Sequence, residues 1–337
     1  LFGNILRKKL NYKYTNIMHP LINTIINFTV DTFKYIKFSS AVFESSSKKN
    51  LQADLLRISH AIEKGMALPN PKKKFGVAKF LELLDLINKY KKLYRSDKIL
   101  LISLSTCDSY LKFHKKKGHK MNELRLKFKK IFNGKKIFPY AGNLNISKKK
   151  IKDLIKLKKP EAFFFNRHST RQFSKKIIKK TILNKIALLT SKTPSVCNRQ
   201  SGKIYFYNEK EKIRKILELQ NGNKGFGDTS GAIAIVTSEL SNFYTPGERN
   251  QGYVDGGLFA MSLVYAAHSL GLVTCMLNWS NGAKSTFKLR KLTGIKSSEI
   301  VITMIALGHM KDDYVVAASP RKNFKDFLTI NKRLKNF

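Results

Sequence analysis

The fold class this sequence predicts is α+β, on three observations. Apolar residues recur at helical spacing through much of the N-terminal third. Four short apolar runs, 203–207, 232–237, 272–277 and 300–307, read as strands. One nearly uncharged stretch, 258–277, reads as a buried helix running into a core strand. At 337 residues the chain can bury a substantial core in one large domain or two. A hydrophobic content of 42% argues against wholesale disorder.

Taken in order, Met18 to Phe43 suits a helix or an edge segment, and 38–50, rich in Ser and Lys, reads as a break. Leu51, Leu55, Ile58 and Ile62 mark a helix with Gly65 as its stop, and Val77, Phe80, Leu81, Leu84 and Ile87 mark another after Pro69 and Pro71. Residues 112–136 form a basic amphipathic stretch, a pattern that can touch an anionic surface but is also that of a solvated helix packed on its own domain. Residues 148–159 repeat the theme. The boundary falls just before them, giving a helical N-terminal region, 18–147, and a second domain, 148–337. There Ile178, Ile182, Ile186 and Leu189 give a helix, as do Ile213, Ile216 and Leu217, and Gly222, Gly225 and Gly227 give a flexible loop. The 258–277 stretch raises a membrane span, but Gly271, His268 and Asn278 interrupt it, so no transmembrane segment is expected. A helix over 284–292 is capped by Gly294.

Sixty-five Lys and Arg against 22 Asp and Glu give a formal charge of +43, which would attract nucleic acid, anionic lipid or an acidic substrate. The excess is mostly lysine spread along the whole chain, so it reads as compositional background first and as a weak anionic-surface binder second. Cys107, Cys197 and Cys275 are too few for a disulfide framework and lack metal-site spacing, which fits a reducing compartment. The chain begins with Leu1, and Met18 reads naturally as a start; residues 1–17 lack the apolar core and cleavage site of a secretory signal.

Three segments carry the chemistry. Arg167-His-Ser-Thr-Arg171 concentrates charge and a hydroxyl where a phosphate could sit. Thr193-Pro-Ser-Val-Cys-Asn-Arg-Gln200 is the second and Ser319-Pro-Arg-Lys322 the third. In that order, joined to Asp255-Gly-Gly257, Leu-Gly-Leu-x-Thr-Cys275 and Ala306-Leu-Gly308, they resemble the flavin-binding signature of the nitroreductase family over residues 160 to about 330. The resemblance implies a mixed sheet flanked by helices, bound FMN, and ping-pong transfer from NAD(P)H to an unidentified small-molecule acceptor. It further implies a cytoplasmic homodimer with the flavin at the subunit interface.

It also implies site roles. Arg167, His168 and Ser169 match the phosphate and ribityl contacts, and Arg171 the cation facing flavin N1 and O2. Arg321 and Lys322 match the C-terminal phosphate contact. Pro194, Ser195 and Asn198 match the loop that reaches the partner's flavin. Leu277 and Asn278 match the N5 contact, and Asn223 the pyrimidine edge. The chemistry belongs to the flavin, so no catalytic side chain and no metal is expected. Gln200-Ser201-Gly202 departs from the family's Pro-Trp after that Gln, which leaves the substrate open. Cys197 is read as a small apolar filler, His268 as a satisfied core residue, and Trp279 as a core or pocket-wall aromatic.

His60-Ala-Ile-Glu-Lys-Gly65 with Phe75-Gly76 resembles a leader found before nitroreductase modules encoded among polysaccharide-synthesis genes. His60 and Glu63 share a helix face and could form an acid/base pair, a metal half-site or a plain surface pair. Two alternatives follow: an FMN-dependent modifying enzyme in polysaccharide synthesis, or a basic protein holding nucleic acid or glycan on a flavoprotein scaffold.

Overall fold

The computed structural model describes residues 21–23, 25–43, 47–68, 71–132, 141–142, 160–314, 316 and 323–332. The domain boundary near 148, the basic run 148–159 and the Arg321–Lys322 pair lie outside them.

The ambiguous start is helical: α1 covers 25–38. Helix α2, Lys48–Ala67, is capped by the Ser47 hydroxyl, which accepts from Asn50 N at 3.2 Å, and it buries Leu51, Leu55, Ile58 and Ile62. Gly65 does not end it. A Cβ there would lie 2.3 Å from the Phe75 ring, so this glycine admits a close contact inside the helix. Helix α3 is Val77–Leu93, and α4, Lys98–Lys116, is capped by Asp97, whose carboxylate accepts from the amides of Ile99 and Leu100. The basic stretch expected as one amphipathic element breaks at Gly118, φ +74°, before α5, Asn122–Ile131. These helices share a core that includes Ile58, Phe80, Ile87 and Tyr110.

After α6, Pro160–Phe165, and α7, Lys180–Thr190, four strands build one sheet: β1 Gly202–Tyr207, β2 Ala232–Glu239, β3 Leu272–Asn278 and β4 Glu299–His309. Their order is β1-β2-β4-β3, and every ladder is antiparallel. The mixed character is a single parallel bridge, Ser169 to Thr274, on the outer edge of β3. Helices α8, Lys210–Leu217, α9, Gln251–Ser269, and α10, Ala283–Thr293, complete an α+β architecture.

Strand alternation divides the core. Ile233, Ile235, Met304 and Ala306 face α8 and α10, while Ala234, Val236, Ile305 and Leu307 face α7 and α9. Helix α9 lies tight on β4 because Gly256 has no Cβ; one would sit 2.4 Å from Ile302. The expectation that α9 is a fully buried helix needs correction: Val254 and Leu258, one turn apart, are 53% and 48% exposed. Among the described residues no helix is long and apolar enough to cross a membrane.

The N-terminal helices dock on the segment after β2. Tyr35 packs with Leu240, Phe243 and Ile300 and donates to Thr245 O at 2.7 Å; Asn50 donates to Ser241 O at 3.0 Å. The Arg57 guanidinium stacks 4.4 Å from the Tyr244 ring.

Candidate functional site

The first motif runs extended along the free edge of β3. Thr170 N donates to Thr274 O at 2.9 Å and Ser174 N to His309 O at 2.9 Å. Thr170 and Phe173 are buried, at 1% exposure each, while Ser169 and Arg171 are exposed. Arg171 lies 5.9 Å from the Phe226 ring and close enough to Cys275 that its charge offsets part of the rise burial imposes on that thiol. Arg167 and His168 stand beside His268, whose imidazole is held below its usual pKa by burial first and then by those two neighbours, with a contact to Phe163 O at 3.1 Å acting the other way. Among the described residues none of Arg167, His168 and Arg171 has a carboxylate partner. The Thr170 hydroxyl is buried without a hydrogen-bond partner. This donor set suits a phosphate: cations gathered on one sheet edge with their charge uncompensated.

The same edge supplies backbone donors. Thr274 O points outward to Thr170, and Leu277 O points inward, accepting from Thr303 Oγ1 of β4 at 2.9 Å. The N–H and C=O of one strand residue point to the same side, so Met276 and Asn278 present their amides to the free edge and Leu277 turns its amide into the β4 ladder. Of the two residues expected at N5, Asn278 therefore has the available amide. Met276, 43% exposed, is an outward donor that motif reading missed and that the period-2 pattern of β3 could have found.

Asn278 O accepts from Gln220 Nε2 at 3.0 Å, which ties the glycine loop to this edge. Asn223 is in that loop, but its amide donates to Leu217 O at 2.8 Å and to Gln220, so it shapes the loop.

The second motif is elsewhere. Pro194 and Ser195 line a cavity of about 300 Å³ with Asp255 and Phe259, on the β1 side of the sheet. Three strand spacings of about 4.8 Å separate β1 from β3, so within one chain this loop and the Arg167 motif do not meet. Asp255, 3% exposed, anchors the loop by accepting from Val196 N at 3.3 Å and from Gln251 Nε2 at 2.8 Å. Cys197, Asn198 and Gln200 all have left-handed backbones, φ +47°, +55° and +53°. Cys197 is exposed, not the apolar filler expected, because this backbone turns its side chain out. His268 is half-buried and satisfied, and Trp279 donates to Thr286 Oγ1 at 3.0 Å on the rim of another cavity.

In the N-terminal region Glu63 accepts from Thr106 Oγ1 at 3.3 Å and Gly142 N at 2.9 Å, with His60 Nδ1 at 3.9 Å from its other oxygen. The carboxylate serves to pin neighbouring chain.

Residues 165–223 and 217–309 match the model of the Nitroreductase family, the part of the chain that carries the sheet and both motifs. No curated protein matches the chain. Among solved structures, an FMN-dependent nitroreductase from Clostridium difficile R20291 is 17% identical, with 51% of this chain and 99% of that one covered at a TM-score of 0.44. The NfrA1 nitroreductase of B. subtilis is also 17% identical, covering 52% and 75% at 0.45. NfrA2 of B. megaterium is 19% identical, covering 52% and 74% at 0.45.

Proposed function

We propose that the 148–337 part is an FMN-dependent oxidoreductase that works as a homodimer, with the helical region 18–147 as its support. The observation that carries this is the gathering of Arg167, His168 and Arg171, without counterions, beside the outward amides of Met276 and Asn278 on one sheet edge. The family match over 165–309 supports it.

Bound FMN would supply two-electron exchange, taking hydride from NAD(P)H and passing it to a small-molecule acceptor. The chain's share is binding and electrostatics. Arg167, His168 and Ser169 hold the phosphate, joined by Arg321 and Lys322. Arg171, steadied over Phe226, places positive charge at the pyrimidine edge, where negative charge gathers on reduction. The amide of Asn278 donates at N5. Pro194, Ser195 and Asn198 complete the pocket of the second subunit, and the exposed Val254–Leu258 stripe of α9 supplies apolar area for the pairing. A cytoplasmic location and a ping-pong cycle accompany this reading.

The test is direct. The purified protein is expected to be yellow, to release FMN on denaturation and to oxidise NAD(P)H when an acceptor is added. A colourless protein that takes up no added FMN would end the proposal.

A further inference from the structure

A second constellation of unpaired charge lies where α1 crosses the end of the sheet. Asn27 of α1 accepts from Ala283 N at 3.0 Å, joining α1 to the start of α10. Below that contact is a cavity of about 260 Å³ lined by Asp31, Lys34, Tyr253, Trp279 and Arg290 among others. Among the described residues the half-buried Lys34 ammonium has no hydrogen-bond or ion-pair partner. Its pKa is held below the ordinary lysine value by burial first and by the charge of Arg290 second; Asp31 acts the other way without restoring it. Arg290 directs its terminal nitrogens at the carbonyls of Lys296 and Glu299, and its Nε is buried with no partner. Burial lowers its pKa too, against the opposing influence of Glu299, Tyr205 and Asp31. Two cations thus line one concave, partly dry place, with the Asp31 carboxylate as the acidic group in its wall. Such an arrangement is unfavourable when empty and relieved by an anion.

A neighbouring cavity of about 530 Å³ shares Asp31, Tyr253 and Ile300 with the first and is walled by Phe28, Tyr35 and Ile36. The pair offers a charged pole beside a mostly apolar body, whose lining also includes Arg249.

We propose that these joined cavities bind a small aromatic carboxylate, its charge between Lys34 and Arg290 and its ring against Tyr253 and the apolar wall. The lining begins at Trp279, one residue past Asn278; that the guest is also the electron acceptor rests on the flavoenzyme reading, whereas its binding does not.

Trp279 is the single tryptophan of the chain, so its fluorescence reports the cavity directly. Titration of the purified protein with benzoate and with the neutral isostere benzamide is expected to show saturable quenching, with benzoate at least about tenfold tighter. Lys34→Gln, at a side chain with no structural partner, is expected to abolish that preference, and Asp31→Asn to strengthen benzoate binding a few-fold. Equal affinity for the two probes, no saturable response, or a preference that survives Lys34→Gln in a folded protein would overturn the proposal. A preference for benzoate in protein that carries no flavin would uphold the site while removing the acceptor role. In flavin-loaded protein, 4-nitrobenzoate is expected to show a KM about tenfold below that of 4-nitrobenzamide, and Lys34→Gln to erase the difference.

Discussion

The two margins of the sheet treat positive charge in opposite ways. Beside β1, Lys203 Nζ lies 2.6 Å from Glu299 Oε1 and 3.0 Å from Glu239 Oε2, and Arg199, 1% exposed, forms a two-armed pair with Glu248. Beside β3, Arg167, His168 and Arg171 have no carboxylate at all among the described residues. In a chain with 65 basic residues a cation is not informative in itself. What distinguishes a site from a support is whether the fold supplies the counter-charge. Where acidic residues are scarce, placing two at Lys203 and none at the Arg167 motif marks the latter as the place where an anion must come from outside.

The supported margin should break hardest. Glu299 is fully buried and accepts from Lys203, from the Tyr205 hydroxyl at 2.9 Å and from Thr237 Oγ1 at 2.6 Å. Glu299→Ala leaves those donors orphaned and is expected to cost about 3–5 kcal/mol in urea unfolding, with Lys203→Met in the same chain recovering part of it. A loss under about 1 kcal/mol would show that the network contributes little. The pH dependence has a fixed sign. Burial raises the Glu239 carboxyl, but Lys203 with Ser298 and Ser241 outweighs it and holds the folded pKa below 4.5; Lys203, despite burial, is raised above 10.5 by the same two glutamates. Their stabilisation is present between those values. It fades as pH falls through the depressed Glu239 value and as it rises through the elevated Lys203 value. A flat unfolding free energy across acid pH would contradict this.

The open margin should respond in binding instead. Arg171→Ala is expected to weaken FMN by about ten- to a hundredfold, roughly 1.5–3 kcal/mol for a charge-assisted contact, while unfolding changes by no more than about 0.5 kcal/mol. Equilibrium dialysis of FMN beside urea unfolding separates the two; a stability loss with unchanged FMN affinity would reverse the contrast between the margins. A smaller effect is expected from Met276→Pro. Proline on a free strand edge removes an outward amide without breaking a ladder bond, so FMN retention should persist, the protein should stay folded, and NAD(P)H oxidation should fall no more than about tenfold. Loss of flavin in that variant would place Met276 in cofactor binding.

Much of this was readable from residue order. Short apolar runs found all four strands, and helical spacing found α2, α3, α7 and α8, because each places its apolar residues where they meet a core. Gly65 misled because close packing and helix ending both call for glycine, and only the Phe75 ring tells them apart. The two motifs were visible as residue types. Their separation to opposite margins was not, since it follows from the order β1-β2-β4-β3, a property of pairing that spacing does not encode. The Lys34–Arg290 cavity was equally invisible, because its cations are 256 positions apart and each is one basic residue among many.

The smallest expected effect probes the loop itself. Cys197, exposed and at φ +47°, pays for a left-handed backbone that no side-chain contact of its own requires, a cost of roughly 1–2 kcal/mol for an L-residue. Cys197→Gly removes that strain but adds unfolded-state freedom of roughly 0.5–1 kcal/mol, so the net gain in stability should be only about 0.5 kcal/mol. Were the loop mere connection, nothing else would change. If it holds Pro194, Ser195 and Asn198 in shape for a partner's flavin, the stabilised variant should bind FMN a few-fold more weakly, because the freedom gained is freedom to leave the bound geometry. Tighter unfolding together with unchanged FMN affinity would assign the strain to folding alone and leave the β3 margin as the whole of the cofactor site.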